Sequence, residues 1–205
     1  MAILPIDITR LKGTHIYLEL LRPDHIEVLK ELARDERLWE FTKTLLINDT
    51  YNEQFQTYIT TALDPTAVEG QQAFVIRATA DDSIIGMTRY YAITPKDKRL
   101  AIGYTWYIPA VWGGPHNKEC KLLLLQYAFE IVGFQRVEFH IAHQNVRSQK
   151  AVEKIGGVKE GVLRKYAIRP DGSIRDTVIY SIIDEEWPEK KQRLLDMVKS
   201  YQQLV

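Results

Sequence analysis

Two periodicities run along this chain. Residues 15–20 alternate apolar and polar positions as a short strand does, and Asp24 then caps an apolar run through Ile26, Leu29, Leu32 and Ala33 at helical spacing. Residues 36–50 are irregular and aromatic, and Asn52 opens a second short helix through Phe55, Tyr58 and Ile59 that ends before Asp64-Pro65. Strand-like runs follow at 73–78, 84–91 and 100–108, separated by Asp81-Asp82-Ser83 and by Thr94-Pro95-Lys96-Asp97, which reads as a meander. Pro109 stops the third run. After a turn over 111–116, Asn117 opens the most apolar helix, 118–132, with Gly133 in the terminating place. Leu122, Leu123, Leu124 and Leu125 put apolar groups nearly all round it, which predicts burial against a sheet.

A strand over 136–142 leads to a helix over 146–155, capped by Asn145 and closed by Gly156-Gly157. A hairpin of 158–168 and 177–183 turns through Arg169-Pro170-Asp171-Gly172. The tail, 184–201, is a charged amphipathic helix with Trp187, Leu194, Leu195 and Val198 inward. A meander giving way to a strand-helix-strand unit predicts an α/β (α+β) fold, a mixed sheet covered by helices.

Composition narrows the function classes. The 205 residues are 45% hydrophobic and 26% charged, with 27 basic and 27 acidic side chains, so the formal net charge is zero. These values, with no repeat or linker, predict one globular domain over 1–205. A chain of this length buries roughly 70% of its unfolded surface, enough for a core without disulfide or structural metal. Cys120 is the sole cysteine and reads as a core thiol, and a reducing cytoplasm is the expected compartment. The first residues lack the pattern of a signal peptide, and no apolar run approaches the ~20 residues of a membrane span. His15, His25, His116, His140 and His143 show no ligand spacing, so no metal is expected. Balanced charge argues against a nucleic-acid partner.

Two segments carry candidate chemistry. In Trp112-Gly113-Gly114-Pro115-His116-Asn117-Lys118, glycines before a helix start permit close approach of phosphate oxygens to main-chain amides; the same residues also suit an ordinary turn. Asn145 and Ser148 face the mouth of the next helix, either as a plain cap and a first-turn hydroxyl or as the wall of a crevice between parallel strands.

Taken together, these segments resemble the GNAT superfamily of acyl-CoA-dependent N-acetyltransferases, in particular its RimJ/RimL-type branch of ribosomal-protein N-terminal acetyltransferases. The resemblance covers roughly 14–195 and is strongest in Ile102-Gly103-Tyr104-Thr105-Trp106, in 117–130, in 133–154 with Asn145-x-x-Ser148, and in Glu160-Gly161-Val162-Leu163-Arg164. It implies a mostly antiparallel sheet of about seven strands with a splayed parallel pair at its centre, and acetyl-CoA in the gap. The pantetheine arm would pair with main chain at Trp106, Tyr107 and Ile108, and with the Asn145 side chain. The pyrophosphate would sit on Trp112, Gly113, Gly114, His116, Asn117 and Lys118. Ser148 would hold the departing thiolate, and Trp39, Phe41 and Tyr51 would line the acceptor pocket; Tyr104 is a catalytic candidate only as a member of a proton relay.

The chain departs from its relatives where they handle protons. Ala101, Ala167 and Val152 stand where they carry a glutamate, a glutamate base and a tyrosine acid, and Pro115 removes an amide from the phosphate loop. A water relay through Tyr104, His140, His143 or Glu160 is the remaining route. An α-amine with a pKa near 7.7 to 8.0 is roughly 10 to 15% neutral at pH 7, against about 0.04% for lysine. The expected acceptor is therefore a protein or peptide N-terminus, with a small-molecule amine as the alternative. A degenerate acyl-CoA-binding protein without turnover is the other reading. A monomer or homodimer is expected.

Overall fold

The computed structural model describes residues 11–44, 46, 48–169 and 171–202. In chain order the elements are β1 (Ile16–Leu20), α1 (Ile26–Leu32), α2 (Tyr51–Leu63), β2 (Gln72–Ala78), β3 (Ile84–Thr94), β4 (Arg99–Tyr107), α3 (His116–Gln126), β5 (Arg136–Ala142), α4 (Val146–Lys154), β6 (Val158–Ile168), β7 (Ile174–Ile183) and α5 (Trp187–Gln202). The strands make one sheet in the order β1-β2-β3-β4-β5-β7-β6. Every neighbouring pair is antiparallel except β4 and β5. That pair is parallel because α3 carries the chain back across the sheet.

Two apolar clusters cover the two faces. One joins α3 and α5 to the sheet through Leu122, Leu124, Leu125, Phe139, Trp187, Leu194 and Val198, and the other packs Leu29, Phe55, Ile59, Val75, Met87 and Trp106 under α1 and α2. The four leucines of α3 are buried, as their pattern predicts. A buried carboxylate ties α3 to the first strand: Glu119 accepts from the main-chain N–H of Thr14 at 2.7 Å, His15 at 2.7 Å and Ile16 at 2.8 Å.

The observed helices differ at their ends from the pattern. α3 starts at His116, with Pro115 in the capping place where its missing N–H costs nothing. It is α-helical only to Gln126; a π turn, Tyr127–Ile131, then closes through Val132 N–H donating to Tyr127 O at 3.0 Å. Phe129 packs on Trp187 at 5.4 Å between ring centroids, and Glu130 accepts from Trp187 Nε1 at 2.7 Å. α2 begins at Tyr51, with Thr50 rather than Asn52 in the capping place.

The site is positioned by how little β4 and β5 touch. They pair only through Arg99 with Arg136, Leu100 with Val137 and Ala101 with Glu138, and then part. On its other edge β4 carries a bulge: Met87 pairs with Trp106 and Arg89 with Gly103, so Thr88 faces both Tyr104 and Thr105. Tyr104 takes up the extra residue at φ 52°, a left-handed conformation uncommon for an aromatic side chain. The bulge bends β4 away from β5 and so opens the gap.

Candidate active site

Between the parted strands lies a cleft of about 890 Å³. Its walls are residues 102–107 of β4 and 139–142 of β5, its floor the starts of α3 and α4, and its far end the segment between α1 and α2. Among the described residues eight cationic side chains line it, Arg37, Lys43, Lys118, Lys121, Arg147, Lys150, Lys154 and Arg175, and no carboxylate does. Of the eight, only Arg37 has a carboxylate within 4.0 Å, that of Asp35, among the described residues. A chain of zero net charge therefore concentrates positive potential in one slot.

The expected contact residues separate by the direction each main-chain group points. Ile108 N–H donates to Ile85 O at 2.9 Å, so alternation leaves Tyr107 as the one of the trio Trp106, Tyr107 and Ile108 whose main chain turns to the gap. The Tyr107 carbonyl accepts from Trp112 Nε1 at 2.7 Å, which leaves its N–H for a ligand. Trp106 lines the cleft with its side chain, but Ile108 does not line it.

At the phosphate loop, Gly113 has φ +80° and open space where a side chain would stand. The Gly113 carbonyl accepts from Tyr201 at 3.0 Å, and Lys118 Nζ donates to Gly114 O at 3.2 Å and to Tyr201 at 2.8 Å, so α5 fixes the loop. Asn117 lines the cleft. His116 does not: its ring turns to His15, 6.5 Å away, and burial lowers its proton affinity, so only its main chain stands at the helix start. Arg147 lies over the Trp112 ring at 4.6 Å and Arg37 over the same ring at 5.5 Å.

Asn145 caps α4, its Oδ1 accepting from Ser148 N–H at 2.9 Å, and it also lines the cleft with Ser148. The two readings of this motif are thus compatible: the carbonyl caps while the amide NH₂ and the Ser148 hydroxyl remain available.

At the far end Trp39 and Phe41 line the cleft. Trp39 is held by Nε1 donating to Ala33 O at 2.8 Å and packs on Trp106 at 6.1 Å. Tyr51 does not reach it; its hydroxyl donates to Lys30 O and its ring packs on Phe55 at 5.9 Å inside the helical cluster. Tyr104 lines the cleft, with the Arg89 guanidinium 4.5 Å from its ring and Tyr91 5.2 Å away. Burial raises its phenol, so it stays protonated and serves as a donor.

The structure sorts the relay residues. Glu160 is engaged by Arg136 and accepts from Ser181 Oγ at 2.7 Å, and His143 is exposed outside the cleft. His140 lines the cleft, and its Nε2 lies 2.7 Å from Glu138 Oε2. Glu138 is held down to about 2, first by that hydrogen bond and then by Arg136, against the effect of burial. A carboxylate accepting from Nε2 fixes the tautomer and leaves Nδ1 as the acceptor nitrogen.

Three buried cations escaped the sequence reading. Lys121 donates to Thr105 Oγ1 at 3.0 Å, with burial lowering its proton affinity. Arg89 donates to Gln71 Oε1 at 3.1 Å, and Arg175 to His140 O at 3.3 Å. None has a carboxylate partner among the described residues. Their sequence signal is slight, a charge at an inward position of a helix or strand. No group of three potential metal ligands occurs among the described residues, and no described helix is long and apolar enough to cross a membrane.

Comparison with known proteins agrees with this geometry. Residues 15–158 match the model of the acetyltransferase (GNAT) domain family. The chain belongs to the GNAT acetyltransferase family. As a member it is an acyltransferase. Over 100 residues it is 33% identical to the uncharacterized N-acetyltransferase YoaA of Bacillus subtilis (strain 168), covering 49% of this chain and 55% of that one. Over 184 residues it is 29% identical to YdaF of the same strain, named as a candidate ribosomal N-acetyltransferase, covering 86% of this chain and 96% of that one. The fold matches that of Mycobacterium smegmatis RimJ in complex with CoA-disulfide, with TM-score 0.74 and 22% identity over 88% of each chain. The likeness to YdaF agrees with the RimJ/RimL-type branch.

Proposed function

We propose that this protein transfers an acetyl group from acetyl-CoA to the α-amine of a protein or peptide N-terminus. The observation that carries the reading is the three-pair contact of β4 with β5, which leaves strand edge facing a cation-lined slot. The slot suits the carrier: the Tyr107 N–H and the Asn145 amide fit an arm of amides, and Arg147 and Lys150 in the first turns of α4, without carboxylate partners among the described residues, fit phosphates.

Acetyl-CoA, when bound, supplies an acyl group activated as a thioester. Within the chain, His140 Nδ1 takes the proton from the acceptor nitrogen as the new N–C bond forms and the C–S bond breaks, and Glu138 stabilises the resulting imidazolium. Ser148 Oγ donates a hydrogen bond to the departing sulfur. Tyr104 OH is the second hydrogen-bond donor to that sulfur, and the thiolate then takes up the proton that His140 received. A cleft without carboxylates disfavours an ammonium, so acceptors that are already partly neutral are favoured. Trp39 and Phe41 flank the acceptor.

Thiol release measured with acetyl-CoA and a panel of peptide N-termini, small amines and free lysine tests the proposal. Peptide α-amines should turn over faster than lysine at neutral pH. Calorimetric binding of acetyl-CoA without thiol release from any amine would return the non-catalytic reading that Ala101, Ala167 and Val152 suggest. Faster lysine turnover would overturn the α-amine preference.

A further inference from the structure

Arg175 sits on β7, 6% exposed, where the cleft meets a smaller annex of about 140 Å³. One of its amino groups donates to His140 O at 3.3 Å, and its Nε is buried without a partner. Burial pulls its proton affinity down, yet a guanidinium keeps its charge across the physiological range. A buried cation with no counter-charge is unfavourable unless something supplies one.

No described residue forms an ion pair with Arg175 within 4.0 Å. The rings around Arg175, those of Tyr91, Tyr104 and Tyr166, are neutral, and the charges that act on it from Lys43 and Arg169 share its sign. Arg169 is occupied in donating to Thr42 O at 3.1 Å and Glu40 O at 2.6 Å, which roofs the annex with the segment after α1. Glu40 also borders the annex, but it is exposed and makes no ion pair within 4.0 Å among the described residues. The cations suited to phosphates stand elsewhere, at the starts of α3 and α4.

We infer that Arg175 is the seat for a carboxylate carried by the acceptor, so that the substrate class is an amine with a carboxylate a few bonds away. The inference rests on the N-acetyltransferase reading above and sharpens it. The spacing follows from one residue: Arg175 is bonded to the main chain of His140, and the imidazole of His140 receives the amine proton. Both ends of the acceptor are therefore read within the span of a single strand residue. Phe41, Ala142 and Arg175 line cleft and annex alike, so a short acidic stem passes from one to the other. Lys43 at the mouth, 5.0 Å from the Tyr166 ring, adds a second positive charge on the approach. A free amino acid and a peptide beginning with an acidic residue both present this chemistry.

The test is thiol release by the full chain with two matched pairs: a peptide with N-terminal glutamate against glutamine, and a free amino acid against its amide. The carboxylate member of at least one pair should show a kcat/KM at least about tenfold higher, and the pair that shows it identifies the source. In Arg175→Gln that ratio should fall to near one, mainly through KM of the carboxylate acceptor, and in Arg175→Lys it should be partly kept. Equal rates within both pairs, or a ratio unchanged in Arg175→Gln, overturn the carboxylate seat and leave acetyl transfer standing. Failure to acetylate any member overturns both. If Arg175→Gln does not fold, the wild-type ratio and Arg175→Lys decide.

Discussion

The His140 imidazole and the Glu138 carboxylate stand two residues apart on one face of β5, with Nε2 and Oε2 separated by 2.7 Å. An imidazole oriented by a carboxylate on a residue that lines a cleft is the arrangement of a general base. His140→Gln should lower kcat/KM by about 10² or more while acetyl-CoA binding is kept, and Glu138→Gln by a smaller factor. Calorimetry and thiol release on the same samples check this, and full activity in His140→Gln would remove the base assignment.

Ser148→Ala should cost turnover more than it costs the binding of the carrier. A donor aimed at a developing thiolate acts only as the bond breaks, so a fall in kcat of about tenfold to a hundredfold is expected, with Kd for acetyl-CoA changed about twofold or less. Equal losses in both quantities would make Ser148 a ground-state contact only.

The mouth of α4 should make carrier binding sensitive to salt. Arg147 and Lys150, in the first turns of α4, line the cleft without carboxylate partners among the described residues. Replacing Arg147 and Lys150 with alanine should raise Kd for CoA about tenfold at low ionic strength and flatten its dependence on salt, which a titration series measures. An unchanged salt slope would place the phosphates elsewhere.

Glu119 gives a stability prediction independent of activity. It satisfies the main-chain amides of Thr14, His15 and Ile16 from within the core. Glu119→Ala strands those donors and should destabilise the fold by about 3 kcal/mol, read from urea midpoints, with Glu119→Gln milder. A loss under about 1 kcal/mol would mean that water replaces the carboxylate.

Glu138 also links stability to acidity. Its folded carboxyl is held at about 2, below an ordinary value of 4.5. The associated stability is complete above about pH 4.5 and is lost as the pH falls toward about 2. The advantage of the wild type over Glu138→Gln, at most about 3 kcal/mol, should therefore shrink across that window. An advantage constant from pH 6 to 2.5 would show that the effect is not one of protonation.

Much of the architecture was legible in the chain because period and punctuation agree. The alternation in 136–142 coincides with β5, and the 158–168 run with β6. Helix ends were less legible, since nothing in the apolar run 118–132 marks a change from α to π geometry at Tyr127. In the site, Asn145, Ser148, Trp112 and the glycine loop carried motif signals, and the structure brings them to one cleft. Tyr51 belongs to the acceptor pocket only by the family resemblance, which assigns the whole insertion to it; its ring fills the core instead. Lys121, Arg89 and Arg175 were missed for the opposite reason. Charged residues default to solvent in a linear reading, and only packing reveals a cation kept inside without a partner. Glu138 and His140 fall on the same face by strand alternation, but their pairing needed coordinates.

Because the first four strands and the last three share so short a run of ladder, it is the apolar layer beneath α3 and α5 that keeps the two halves of the sheet together. Whatever lodges between them becomes a structural member, bridging edges that the backbone leaves apart.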